Sequence, residues 1–324
     1  MHQILRLRPA GLIWLTFAAL PALHADVTLR YRTVVDLNPN LPPQITQQVM
    51  KSMDVNLPKD QTMQLKKGKW FYSGGTITSI ADLNRKEITL LDASGKRYAT
   101  IPADRYGDDL ARAMPAVSDQ AKAAMAAMKG HSEAKATGRT ETIQGVEAED
   151  HEITVTVDAP AGANMPAMGS GPMMRMVMHV WTPKAGEAAR FPAIGELAQY
   201  DIFSMAGLDP VSSMSKALGQ MPGFSDAFLG MMKEVKATGS PVILRMQMEM
   251  YLPMMAAMMK AMSGGGNGSA FDPDAPLAHV TYEVASISTE PVADSVFEIP
   301  AGYHAAEATD ILKDQIQQRM PAAK

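Results

Sequence analysis

Methionine is the residue type with the most unusual chemical potential in this chain: it supplies 27 of 324 residues, and cysteine supplies none. Nineteen of those 27 lie between Met165 and Met262. Over residues 173–182, Met174, Met176 and Met178 fall on one strand face, and over 242–252 Met246, Met248 and Met250 do the same. A helical stripe of Ala227, Phe228, Met231, Met232 and Val235 lies between them in sequence. After Pro253, Met254, Met258 and Met262 recur at intervals of four, with Met255 and Met259 beside them. Three chemistries suit such a set. Unbranched thioether side chains fill irregular gaps in a core. They also repack around acyl chains or other apolar ligands, making a deformable cavity. As soft ligands they select Cu(I) in an exported setting, and Met-x-Met and Met-x-x-Met spacings are present. Copper is the weaker fit, because the strand methionines alternate with charged residues as a core face does, and no cysteine or histidine cluster accompanies them.

Other chemistry-bearing residues are sparse. His151 and His179 sit on strands that can be neighbours, with Glu149 on the face of His151, so a metal pair is conceivable there. The run Gly264–Gly268 lacks the following Lys-Ser/Thr of a phosphate loop and reads as a linker. No Gly-x-Ser-x-Gly elbow and no His-Glu-x-x-His occurs. The sequence therefore points to binding without catalysis, with no cofactor expected. A formal charge of −4 gives no basic excess for nucleic acid.

Positioning these residues requires strands. From Val27, the residues Val27, Leu29, Tyr31, Thr33 and Val35 alternate with Thr28, Arg30, Arg32 and Asp36, the period of a strand covered on one side. A Pro/Asn/Gln-rich insertion runs from Leu37 to about Lys59. Short strands are expected at 61–67, 69–72, 76–82, 87–91 and 97–101. The connections between them are too short for crossovers, so the pairing should be antiparallel. A helical block at 104–129, split by Pro115, precedes strands at 132–143, 146–157 and 173–182, with Gln144-Gly145 as the first turn and a Gly/Ala/Pro/Met loop at 159–172. A second helical block covers 195–205, 211–218 and 225–236. Strands at 242–252 and 278–288 enclose a short helix at 253–262. The sum of these elements is an α+β fold: an open, unclosed antiparallel β-barrel or strongly curved sheet, with inserted helices plugging its concave face.

The front of the chain reads as a secretory signal over residues 1–25. Arg6 and Arg8 form its basic region, Leu12–Leu20 its apolar run, and Ala25 the small residue before cleavage. Nine apolar residues are too few for the ~20 that a membrane span needs. No later stretch is long enough either, so the protein is not expected to span a membrane. The 6% aromatic content argues against an outer-membrane barrel with aromatic girdles. Loss of Arg6 and Arg8 leaves 28 basic against 34 acidic residues, near −6. Without cysteine, the exported chain can form no disulfide and carry no lipid on a cysteine after its signal, which places it in the periplasm or outside the cell.

The stretch Glu283-Val-Ala-Ser-Ile-Ser-Thr-Glu-Pro-Val-Ala-Asp-Ser-Val-Phe-Glu-Ile-Pro-Ala-Gly-Tyr303 is the most distinctive in the chain. Together with Thr140–Gly145, His179–Thr182 and Gly239–Arg245, it resembles a bacterial secreted family known as domain-of-unknown-function family 4412. That family is similar in fold to the LolA-like periplasmic lipoprotein carriers. The resemblance implies one domain over 26–304, followed by a polar helix or tail at 305–324, and it brings no catalytic residue with it. Relatives often carry a cysteine after the Gln-Gly turn, where this chain has Ala148. The expectation is an exported, non-enzymatic protein holding a lipid-like ligand in a cavity lined by Met174, Met176, Met178, Phe228, Met231, Met232, Met246, Met248, Met250, Met254 and Met258. A structural envelope protein with a filled core, or a Cu(I)-binding protein, are the alternatives.

Overall fold

The computed structural model describes residues 26–319 other than 42, 44–45, 48, 51–57, 75–76, 117, 121–122, 124–126, 159–171, 201–221, 241 and 255–274. The signal segment 1–25, the helix expected at 211–218, the Gly-rich run and most of the helix after Pro253 lie outside the described residues.

Strand is the commonest state among the described residues. The first six are β1 (Val27–Leu37), β2 (Asp60–Lys66), β3 (Lys69–Gly74), β4 (Ile77–Asp82), β5 (Glu87–Asp92) and β6 (Arg97–Pro102). They pair in succession as an antiparallel meander. Helix α1 (Tyr106–Ala113) leads to β7 (Lys129–Ile143), β8 (Val146–Asp158) and β9 (Pro172–Pro183). Helices α2 (Glu187–Arg190), α3 (Pro192–Ala198) and α4 (Pro222–Ala237) follow, then β10 (Arg245–Tyr251), β11 (Ala278–Ser288), β12 (His304–Ala305) and α5 (Ala308–Arg319). The tight turns obey hairpin chemistry: Lys67-Gly68 and Gln144-Gly145 both place two consecutive residues at positive φ, the twist that matches the flanking strands.

All twelve strands form one sheet, in the order β12-β6-β5-β4-β3-β2-β1-β11-β10-β9-β8-β7. The end strands do not meet, so the sheet is unclosed. Only β12 runs parallel to its neighbour, β6. The seam between the two meanders is β1 against β11, in register from Thr28–Ser288 to Leu37–Ala278 with one irregularity at Arg30/Tyr31. On that seam Tyr31 and Tyr282 stack, centroids 4.5 Å apart and planes 5° from parallel. Burial raises both phenol pKa values above their ordinary range.

Following the register across the sheet puts Ile101, Ile88, Ala81, Trp70, Leu65, Val27, Val280, Met248, Met178 and Ile153 on one face. Helix residues pack on this face in three places. Ala113 of α1 and Ala308, Ile311 and Leu312 of α5 pack on Ile88, Leu90, Ala99 and Ile101. Ala193, Ile194 and Leu197 of α3 join Val27, Leu29 and Leu65. Val235 and Met231 of α4 join Ile153, Val155 and Val157. The residues expected to form a polar helix or tail thus bury Ile311 completely.

Helix α4 comes close to β7 because the facing positions of that strand are small: Gly130, Ser132, Ala134 and Ala136 alternate with Lys129, His131, Glu133 and Lys135. A Cβ on Gly230 would stand 3.1 Å from Ser132 Cβ and closer still to its hydroxyl. Gly230→Ala should therefore lower stability by about 1 kcal/mol or more through overpacking. Adding Ser132→Gly should reverse the sign and reveal the ~1 kcal/mol helix preference of alanine, both read from urea midpoints.

The β5–β6 turn is held by Asp92. Its Oδ1 accepts from the backbone N–H of Ser94 (3.0 Å) and Gly95 (3.2 Å), and its Oδ2 from Arg97 Nε (2.8 Å). Arg97 Nη2 also donates to Asp314 of α5 at 2.6 Å, which ties the turn to the last helix. Burial alone would raise the Asp92 pKa, but the bonds from Ser94, Arg97 and Gly95 outweigh it and bring the carboxyl down to about 2. A depressed folded-state pKa contributes stability above the ordinary carboxylate range that is lost as pH falls through about 2. Melting temperature should fall between about pH 4 and pH 2, and Asp92→Asn should lower it at neutral pH while flattening that acid slope.

Candidate functional site

Six of the eleven expected site residues come together. On the helix-packed face, β9 and β10 place Met178 beside Met248, Met176 beside Met250, and Val180 beside Met246. Strand β8 adds Ile153 opposite Met178, Val155 opposite Met176 and Val157 opposite Met174. Helix α4 lies over them with Val235 and Met231. Met178 is buried, whereas Met174, Met176, Met231, Met246 and Met248 are only partly so. The result is a thioether-rich apolar surface that remains half accessible.

The other five are distributed differently. Met250 belongs to a separate group with Leu37, Leu41, Leu252 and Leu277. Met232 is buried on α4. Met254 is half-buried just past β10. The Phe228 side chain and Met258 lie outside the described residues. The even positions expected to form one apolar row from 242 to 252 divide among three clusters. Val242 and Leu244 pack with Trp181 and α3, Met246 and Met248 with α4, and Met250 with Leu277. The strand itself begins only at Arg245. Leu244 and Arg245 both meet Trp181, since the Leu244 N–H donates to the Trp181 carbonyl at 2.9 Å while Arg245 is its register partner. Such an irregularity separates the residues before it from the row after it.

The opposite face of the same strands carries a polar cluster that sequence reasoning missed. Asp150 is completely buried, and its Oδ2 accepts from Thr137 Oγ1 (2.8 Å) and from Arg139 Nε (2.9 Å) and Nη2 (2.5 Å). His179 Nδ1 lies 2.7 Å from Arg139 Nη2 and 3.1 Å from the same carboxylate oxygen. The other ring nitrogen, Nε2, is 4.0 Å from Glu152 Oε2. Arg139 and Arg245 also lie over the Trp181 ring, at 5.5 and 6.0 Å from its centroid. The sequence did hold a signal: Asp150 continues the buried parity of Val146 and Ala148, where an acid must find a partner.

The histidine pair weighed from sequence does not form. His151 pairs with Val180 and His179 with Glu152, so the two rings stand on opposite faces of the sheet. Glu149 does accompany His151, at 3.7 Å. Among the described residues no group of three or more His, Asp and Glu side chains is placed to hold a metal ion. No described helix is long and apolar enough to cross a membrane.

No family model matches this chain, and no curated protein is similar to it. The arrangement therefore speaks through its own geometry: a partly accessible apolar surface on one face and, on the other, an ionic cluster gathered on Asp150 Oδ2, with Oδ1 buried and unpartnered. The second is structural in consequence. Arg139→Ala leaves the Asp150 carboxylate buried without its cation and should cost about 3 kcal/mol. Asp150→Asn, which keeps the shape and loses the charge, should cost less; chemical denaturation of both variants measures the difference.

Proposed function

We propose that this is an exported, non-enzymatic binding protein that holds a hydrophobic, lipid-like ligand on the methionine face of its sheet. What carries this reading is the grouping of Met174, Met176, Met231, Met246 and Met248, all partly accessible, around buried Met178. A core whose only task is packing favours branched side chains with defined rotamers, whereas thioethers conform to variable partners. In this reading residues 1–25 are removed on export, the sheet curves around its apolar face, and α4 with the chain near Met254 forms the adjustable wall. The two connections that flank this surface, 159–171 between β8 and β9 and 252–277 between β10 and β11, leave the sheet at the same end. In sequence they add Met165, Met168, Met254, Met255, Met258, Met259 and Met262. The same reading is what the resemblance read from the sequence would imply. Binding would remove apolar surface from water at roughly 25 cal/mol per Å² and change no bond.

Native mass spectrometry of protein taken from its own envelope should show an adduct of lipid mass, and a naphthylamine fluorophore should brighten on the purified chain. Met248→Gln should weaken fluorophore binding at least about tenfold, since it places an amide in an apolar surface, while the thermal melt reports whether the fold persists. A bare mass on repeated preparation together with no fluorophore binding would instead establish a filled core. Retention of Cu(I) against a micromolar chelator would assign the thioethers to a metal.

A further inference from the structure

The methionine face carries a reactivity that packing alone does not use. The chain has no cysteine, so thioethers are the sulfur atoms that an oxidant meets. Their exposure falls into two tiers. Met174, Met176, Met231, Met246 and Met248 are partly accessible, whereas Met178 and Met232 are buried, at 2% and 9% exposure. The tiers meet on single elements: Met176 and Met178 share one face of β9, and Met231 and Met232 are adjacent on α4. The accessible sulfurs are also gathered in space. Met176, Met246 and Met248 stand on paired strands, and Met231 belongs to the helix lying over them.

What surrounds these sulfurs decides the consequence of oxidising them. Ile153, Val155, Val157, Val180 and Val235 pack among them, and such side chains offer no hydrogen-bond donor. A sulfoxide oxygen formed there must turn to water or be buried unpaired, and unpaired burial is costly. Helix α4 is the part of the wall that can yield, because it meets the sheet through Met231 and Val235 and through the close approach of Gly230 to Ser132. Leucine would fill the methionine positions at similar volume without this reactivity.

We propose that the methionine face is an oxidation switch whose reactant is a peroxide. The thioether sulfur attacks one oxygen of hydrogen peroxide, and an S–O bond forms as the O–O bond breaks. Two electrons pass from sulfur to the peroxide. The second oxygen leaves as hydroxide and takes up the proton of the first, becoming water. The product is methionine sulfoxide, which sulfoxide reductases return to the thioether. Sulfoxides on both sides of the contact, at Met231 on α4 and at Met246 and Met248 on β10, part the helix from the sheet and make the apolar surface polar. The switch rests on the ligand reading for what it releases; the oxidation and the movement of α4 do not.

Peroxide treatment of the full chain, followed by peptide mass spectrometry and hydrogen exchange, tests this. The five accessible methionines should oxidise at least about tenfold faster than Met178 and Met232. Amide exchange over residues 222–237 should rise at least about tenfold in the oxidised protein and return after reductase treatment, while β1–β6 stay protected. Combining Met231→Leu, Met246→Leu and Met248→Leu should abolish that rise, and the wild-type comparison decides if this variant does not fold. Fluorophore binding should weaken at least about tenfold on oxidation. A native chain with neither lipid adduct nor fluorophore binding overturns the ligand reading alone, and the exchange of α4 still decides the switch. Equal oxidation rates in both tiers, or full oxidation of the five with α4 exchange unchanged, would overturn the proposal.

Discussion

The pairing of β1 with β11 is the constraint on which the rest of this fold depends. Strands β2–β6 and the pair β7–β8 can form as local hairpins, but neither group alone fixes which face its neighbour buries. Once Thr33 lies opposite Tyr282 and Val35 opposite Val280, side-chain parity is set from β12 to β7. The apolar rows of both meanders then continue one another. The stacked Tyr31 and Tyr282 lock that register at its centre. Helices α1, α4 and α5 cover that row, while α3 covers its β1–β2 part together with the opposite parity of β8.

That surface is not used evenly. Along β8, burial shifts from Val146, Ala148 and Asp150 to Ile153, Val155 and Val157, and its register with β9 runs unbroken across the change. One strand therefore buries opposite faces in its two halves. The first half meets the cluster around Trp181, Ile194 and Leu197, and the second meets α4. The ionic group at Asp150 sits at this changeover. There an acid on the formerly apolar parity loses its hydrophobic neighbours and is matched by Arg139, Thr137 and His179.

Period-two alternation located nearly every strand, because a one-sided sheet writes its exposure directly into residue order. Val27–Val35 and the charged partners of the β10 methionines are the clearest examples. The turn glycine of Gln144-Gly145 was equally readable. Two things were not. Periodicity cannot say how far a row extends before an irregularity redirects it, so Val242 and Leu244 read as part of the methionine row. It also cannot fix the register between neighbouring strands, so His151 and His179, which lie on adjacent strands but opposite faces, read as a potential pair. Half of the methionine surface was legible because its members share strands. The buried acids Asp109 and Asp150 were not singled out, although Arg105, Asp109 and Arg112 fall at helical spacing and Asp150 at apolar parity. An ion pair formed by folding has no repeating pattern to betray it.

The outer edge of β7 gives the molecule one more property. It is the longest strand in the sheet, and among the described residues nothing pairs with its far side. A flat strand of that length would recruit copies of itself into a fibre. Instead its odd positions carry Lys129, His131, Glu133 and Lys135, and its pairing shifts between Ala136 and Thr140, around Gly138 at φ 76°. Charge prevents close stacking and the kink breaks the straight run of backbone donors. Along this border the chain is thereby kept from adding strand upon strand of its own copies.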